Sequence, residues 1–218
     1  LVTAALRATA QLAVASLAIA AVLGSVWWSL AFALLMFRVA TGTSARRTGT
    51  MRNAPWVAMA LGIGVTPVLG LLLLSGVIPW HGANLVPTAG IVIGGTMTAC
   101  TLATRRAFDE LQKQFGAFEA ALALGLPSRD AVLEIVAPTS SEALLPVLDQ
   151  TRTVGLVTLP GAYVGVLLGG GSALEAGAAQ LMVLIGLLAA ETIAVVVLVR
   201  LVALARVLPP GLRARLPT

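Results

Sequence analysis

Glu191 is the residue most at odds with its neighbours. It lies near the centre of an apolar run, about 178–204. An ionised side chain at such a depth costs roughly 2.5–3.5 kcal/mol on insertion scales. An acid kept there must face protein or water, where it serves either a hydrogen bond between helices or the handling of cargo or a proton. Asp149 and Arg152 are i,i+3 neighbours. That spacing gives a local ion pair on one helix face, or a pair that meets cargo or gates its path. Met97 and Cys100 share the same spacing. Thioether and thiolate suit soft ions such as Cu(I), and Fe(II) less well; the plainer reading is helix packing. Met182 is a weaker candidate of the same kind. Arg7 and Gln11 lie one turn apart and could join a polar cluster. With one histidine and one cysteine in the chain, multi-histidine metal sites and an internal disulfide are both excluded, and no metal site is assigned. His81 and Ser172 could be imagined as a catalytic pair. However, there is no G-x-S-x-G, and both residues fall in loops rather than a sheltered site. There is also no G-x-x-x-x-G-K-[ST]: the lone lysine, Lys113, follows Gln112. The chain is therefore neither an enzyme of these kinds nor its own P-loop ATPase.

The elements that position these residues are apolar helices. Of the 218 residues, 58% are hydrophobic and 11% charged, and the mean hydropathy is +0.98. A soluble domain carries about 25% charged residues, so the solvent that suits this chain is a bilayer. Spanning the hydrocarbon core takes about 20 apolar residues. Six runs approach or exceed that, at about 3–23, 26–40, 55–78, 86–103, 144–169 and 178–204; the second is short. Basic residues fix their sidedness. Arg46, Arg47 and Arg52 fall in 41–53, Arg105, Arg106, Lys113 and Arg129 in a long polar loop, and Arg206, Arg213 and Arg215 in the tail. The connections near 79–85 and 169–176 have neither Lys nor Arg. These alternating faces put both visible ends and the long loop in the cytoplasm. The net charge of +5 is this bias, not a nucleic-acid patch. The chain starts at Leu1 with no signal-peptide pattern; we expect its numbering to begin inside a longer protein.

Two runs carry helix breakers: Gly62, Gly64, Pro67 and Gly70 in the third, and Pro146 and Pro160–Gly161 in the fifth. Such breaks need protein or a water-filled cavity to satisfy the freed backbone. They serve close packing through small residues or hinges, with Pro160 and Gly161 as the hinge candidates. No internal repeat of the kind found in inverted-repeat carriers is visible.

The long loop, about 104–142, begins amphipathic. Phe108, Leu111, Phe115, Phe118 and Leu122 form one apolar stripe, as in a helix lying on a membrane surface. Then comes Glu119-Ala120-Ala121, with Gly125, Ile135 and Pro138 following in register. Small residues let a helix seat deep in a partner's groove. Gly125 can take the left-handed conformation that ends a helix, and Pro127 prevents its continuation. Ser128 is placed to cap a second short helix with Asp130 in its first turn, and Pro138 to stop it. Thr139 and Glu142 are spaced for a capping box of the next helix. The expected unit is a helix–turn–helix elbow. It resembles the EAA coupling loop of ABC-transporter permeases, E-A-A, three residues, G, nine residues, I, one residue, L-P; here Ala137 replaces the leucine.

A second resemblance covers nearly the whole chain. Pro146, Asp149, Arg152 and Thr153-Val154-Gly155-Leu156-Val157-Thr158-Leu159-Pro160-Gly161 are similar to the signature of the FetB-like iron-export ABC permeases, relatives of plant aluminium-tolerance permeases. Arg7, Ala8, Gln11 and Leu12, then Pro87, Ala89, Gly90 and Gly94, and Gln180 match that family as well. Two positions depart from it. Thr96 stands where the family usually has asparagine, and Ala162-Tyr163 stand where methionine usually follows L-P-G. If those positions meet cargo, the cargo need not be iron.

The resemblance implies an all-α polytopic membrane protein, one permease domain over 1–218. About six transmembrane helices would lie in this chain and about seven in the full protein, with a cytoplasmic coupling elbow. It implies export of a metal ion across the bacterial cytoplasmic membrane by a homodimer, with ATP and Mg on a partner ATPase subunit and no cofactor in this chain. Coupling falls to Glu119, Ala120, Ala121, Gly125, Ile135 and Pro138. Arg7, Gln11, Met97, Cys100, Asp149, Arg152 and Glu191 are the cargo or gating candidates. The EAA pattern by itself is better known among importers. Alternatives are a permease for another small solute, or a proton-coupled secondary carrier using Glu191.

Overall fold

Apolar helices dictate the architecture. The computed structural model describes residues 2–22, 25–76 and 80–215. It contains α1 (Val2–Val22), α2 (Val26–Arg47), α3 (Ala54–Leu74), α4 (Gly82–Lys113), α5 (Phe115–Ala123), α6 (Ser128–Ser140), α7 (Leu145–Thr153), α8 (Gly161–Leu168), α9 (Ala173–Ala203) and α10 (Pro210–Arg213). Short 3-10 turns precede α3 and α7. Pairing of the β kind among the described residues is limited to a bridge between Val154 and Thr158. Five stretches are long and apolar enough to cross a membrane: Val26–Arg47, Met51–Leu74, Asn84–Lys113, Ser128–Thr153 and Ala173–Ala203. The chain is thus an all-α polytopic membrane protein.

The core forms where α3, α4 and α9 meet, with α2 laid along α4. Leu61, Val65, Val92, Cys100, Ala190, Ala194 and Leu198 are buried in it. In a bilayer, lipid is as apolar as leucine, so helices gain by approaching closely through small residues. Gly64 does this for α3 and α9. A methyl group at Gly64 would stand 2.5 Å from the Ala190 carbonyl oxygen and 2.8 Å from Ala194 Cβ. Gly64→Ala should therefore cost about 1–3 kcal/mol by overpacking, read as a lower thermal midpoint in detergent.

Several segment boundaries differ from the sequence reading. The second segment is not short: α2 runs to Arg47. Its polar end stays helical because hydroxyls bond back one turn, Thr41 Oγ1 to Phe37 O at 3.0 Å and Thr48 Oγ1 to Ser44 O at 2.9 Å. Ser44 Oγ also lies 3.0 Å from Thr101 Oγ1 of α4. The third segment is not broken, since α3 continues through Pro67. Pro67 lies exposed on the helix surface, and Gly64 beside it serves packing. The fifth segment is not one helix over 144–169. It is α7, a break at 154–160 and α8. Gly155 has φ +80° and Pro160 has no amide proton, so the helix cannot run through. Length and apolarity mark Ser128–Thr153 as the spanning stretch instead. Of the six expected segments, the first falls on α1, much of whose side-chain detail lies outside the described residues.

Two ends of the bundle can be told apart. At one, Arg105 donates to Arg47 O at 3.3 Å, Asn53 Nδ2 donates to Leu208 O at 3.0 Å, and Arg206 stands 4.9 Å over the Trp56 ring. This is the arginine-rich end. At the other, Ser172 caps α9 in a capping box with Glu175. Beyond α9, Ala205 takes φ 55° and Arg206 N bonds to Leu201 O at 2.9 Å. That helix-ending turn favours glycine. Because a left-handed L-residue costs roughly 1–2 kcal/mol, Ala205→Gly should stabilise the protein by about 1 kcal/mol, read as a higher thermal midpoint.

Candidate functional site

Glu191 lies in the middle of α9 at 5% exposure. Its carboxylate receives no hydrogen bond and no ion pair from the described residues. Room for it is made by Gly95 of α4: a methyl group there would stand 2.6 Å from Glu191 Oε1 and 2.5 Å from Leu187 Cδ1. Cys100, also on α4, is fully buried. Gln180 sits about three turns earlier on the same face of α9. It is buried too, and its Oε1 has no hydrogen-bond partner among the described residues. The buried face of α9 thus holds an acid, set against α4, and an amide oxygen, both acceptors, inside an apolar bundle. A bare acceptor in low dielectric is costly, which favours a visiting donor, proton or cation. The sequence singled out Glu191 but not its pairing with Gly95. A carboxylate and the glycine it lies against sit in separate segments, and only packing joins them.

The other candidates distribute differently. Met97 is half-buried against the core, one turn before Cys100. No group of three or more His, Cys, Asp or Glu suited to a metal ion occurs among the described residues. Met182 is exposed at 39%. Gln11 is exposed on α1, and the side chain of Arg7 lies outside the described residues. Asp149 and Arg152 form an ion pair at 3.6 Å with both side chains exposed, which places them on the surface of α7, away from the seam. His81 and Ser172 precede α4 and α9 as their N-cap residues. Pro160 and Gly161 start α8. An apolar cleft of about 390 Å³ between α2, α3 and α4, lined by Phe37, Val65, Leu69 and Ile93 among others, does not include Glu191.

The elbow residues fall into two groups. α5 ends at Gly125, whose φ is +89°. Gly125 N bonds to Leu122 O at 2.9 Å and Leu126 N to Ala121 O at 3.0 Å, the double closure of a Schellman turn. Glu119, Ala120, Gly125 and Pro138 are exposed, Ala121 is half-buried and Ile135 is buried. The amphipathic stripe does not lie on a membrane surface. Phe108, Leu111 and Phe118 are buried in the core, with Phe115 and Leu122 packed against it. Three local expectations fail. Ser128 makes no cap, since Pro127 holds that position. Pro138 does not stop α6, which runs to Ser140 before tightening into a 3-10 turn. Thr139 and Glu142 form no capping box: the Thr139 hydroxyl bonds to Val136 O, and Glu142 pairs with Arg106 at 3.2 Å. The long-range partner on α4 takes the carboxylate that local spacing assigned to a cap.

The fold is that of an all-α polytopic membrane protein with acceptors buried among its helices. The chain belongs to the family described as "Uncharacterised protein family (UPF0014)", whose pattern matches residues 1–206. It is 35% identical over 168 residues to "Protein ALUMINUM SENSITIVE 3" of Arabidopsis thaliana, covering 77% of this chain and 61% of the relative. It is 34% identical over 167 residues to "UPF0014 membrane protein STAR2" of Oryza sativa subsp. japonica, covering 76% and 59%. Over 142 residues it is 29% identical to "Probable iron export permease protein FetB" of Escherichia coli, covering 65% and 54%. The chain therefore spans less than two thirds of the length of these relatives. No solved structure matches it.

Proposed function

We propose that this chain is the membrane-spanning permease subunit of an ABC transporter, a homodimer in the bacterial cytoplasmic membrane that exports a metal ion. ATP and Mg act on a separate ATPase subunit. The observation that carries the reading is the α5–Gly125–α6 hairpin at the arginine-rich end. It presents Glu119 and Ala120 outward while Ile135 anchors α6 to the bundle. A rigid hairpin with small outward residues is what a groove in a soluble partner grips. Motion imposed on it reaches α4 and α9 directly, because α6 packs on both. The Glu191 seam lies between those two helices, so a shift of α4 against α9 opens or closes it. The elbow and the spanning stretch Ser128–Thr153 overlap, so the coupling lever continues into the membrane rather than ending at residue 142. Metal cargo is supported by the iron export named in the Escherichia coli relative and the aluminium named in the Arabidopsis thaliana one.

Transport into inside-out vesicles, with a panel of metal ions and organic solutes and with the ATPase present, tests this reading. Uptake of a metal that needs ATP supports it. A second reading, a proton-coupled carrier, draws on the unpartnered Glu191 carboxylate. Uptake driven by a proton gradient without any ATPase would select it and exclude the first.

A further inference from the structure

Beyond α9 the chain folds back as a strap across the arginine-rich end. Val207, Leu208 and Leu212 of this strap are buried in the core. It is pinned at both ends by cation–π contacts, Arg206 at 4.9 Å over Trp56 and Arg215 at 4.5 Å over Phe115. Between these pins, the strap and the α2–α3 connection enclose a cleft of about 510 Å³. Gly49, Thr50, Arg52 and Asn53 form one wall, and Leu208 and Arg213 stand on the other.

Arginines at this end of a membrane protein are ordinary, and most lie on open surface. Arg52 and Arg213 are exposed too, but both line one concave space whose lining holds no Asp or Glu. The acids nearest in sequence, Asp109 to Arg52 and Glu191 to Arg213, are on α4 and α9 and are not part of the lining. Asn53 is buried, and its amide is committed to Leu208 O at 3.0 Å, so the two walls are held in register without a ligand. Two arginines lining one polar cleft suit a tetrahedral oxyanion, which accepts several charge-assisted hydrogen bonds at once. The cleft volume is in the range of small-ligand sites.

We propose that this cleft binds a phosphate-class anion at the arginine-rich end of the bundle, either a phospholipid headgroup or soluble phosphate. The strap connects the site to α5 through Arg215 and Phe115, so occupancy stiffens the base of the α5–α6 hairpin.

The test uses the full chain in nanodiscs of phosphatidylcholine. One arm raises the fraction of phosphatidylglycerol; the other adds inorganic phosphate at constant ionic strength. The thermal midpoint is read in both. It is expected to rise in a saturable way in at least one arm, and the half-saturating level should increase at least tenfold in Arg52→Gln/Arg213→Gln. The matched double variant Arg129→Gln/Arg200→Gln, which removes two charges outside the cleft, should respond as the unaltered chain does. A response to phosphatidylglycerol alone identifies a headgroup, and a response to phosphate alone a soluble anion. Should Arg52→Gln/Arg213→Gln fold poorly, Arg213→Gln alone is compared in the same two arms. No response in either arm, or an equal response from the cleft variants, overturns the proposal.

Discussion

Glu191→Gln will lower ATP-dependent transport at least tenfold without lowering the thermal midpoint, and Glu191→Leu will abolish transport while raising that midpoint. The argument starts from the cost of the residue. A charged side chain at a helix centre is worth roughly 2.5–3.5 kcal/mol against insertion, and no described residue offsets that cost with a hydrogen bond or ion pair. A leucine would fill the same space against Gly95 and Leu187 with apolar atoms and leave no acceptor bare. Stability and function should therefore move in opposite directions, as they do where a site is strained for activity. Glutamine keeps the shape and removes the ionisable group, so it separates charge from packing. If Glu191 instead serves only to join helices, glutamine keeps transport and leucine loses stability. Thermal midpoints and vesicle transport of the two variants decide between these outcomes. Gly95→Leu offers a check from the facing helix: it would drive the carboxylate out of the seam, and should lose transport even though Glu191 is intact.

What could be read from the sequence divides by range. Helix content, the apolar stretches and the arginine-rich end followed from composition and charge, because those depend on single residues and their immediate neighbours. The left-handed turn at Gly125 was also legible, since glycine takes a positive φ at little cost and Pro127, two residues on, bars the helix from continuing. Local rules failed where a distant partner outbid them. Glu142 pairs with Arg106 rather than capping. Thr41, Ser44 and Thr48 keep α2 helical through a stretch whose polarity reads as a loop. Pro67 and Pro138 read as breaks and are tolerated on exposed helix surfaces.

The seam was half legible. Glu191 is conspicuous in any apolar run, and Gln180 was noted only for its family match. Their common face on α9, and the recess at Gly95 that receives one of them, depend on how α4 crosses α9. The elbow is the reverse case. Its register was visible as a string, yet burial divides the string by role. Ile135 belongs to the core and holds α6 in place, while Glu119 and Ala120 form the outward face. A pattern that reads as one motif is thus two, a buried anchor and an exposed face.

That division gives the second large expected effect. On the proposed permease reading, Gly125→Val will abolish co-purification with the ATPase subunit while the chain still inserts in the membrane. At φ +89° a β-branched side chain costs upward of about 1–2 kcal/mol. The cheapest relief is to open the Schellman turn and splay α5 from α6. Nothing lies within 4 Å of the position a Cβ would take, so the effect is backbone strain rather than a clash with the bundle, and the α3–α4–α9 core is left intact. Two further variants separate strain from docking. Gly116→Ala, also on α5 with open space around it, should strengthen the helix by about 1 kcal/mol and keep the partner. Ala120→Trp leaves the turn unstrained but fills the outward face, and should weaken co-purification at least tenfold at an unchanged thermal midpoint. If Ala120→Trp and Gly125→Val both retain the ATPase, force does not enter through this hairpin. The α5–α6 unit would then be a packing element of the bundle, and the proton-driven reading of Glu191 would gain accordingly.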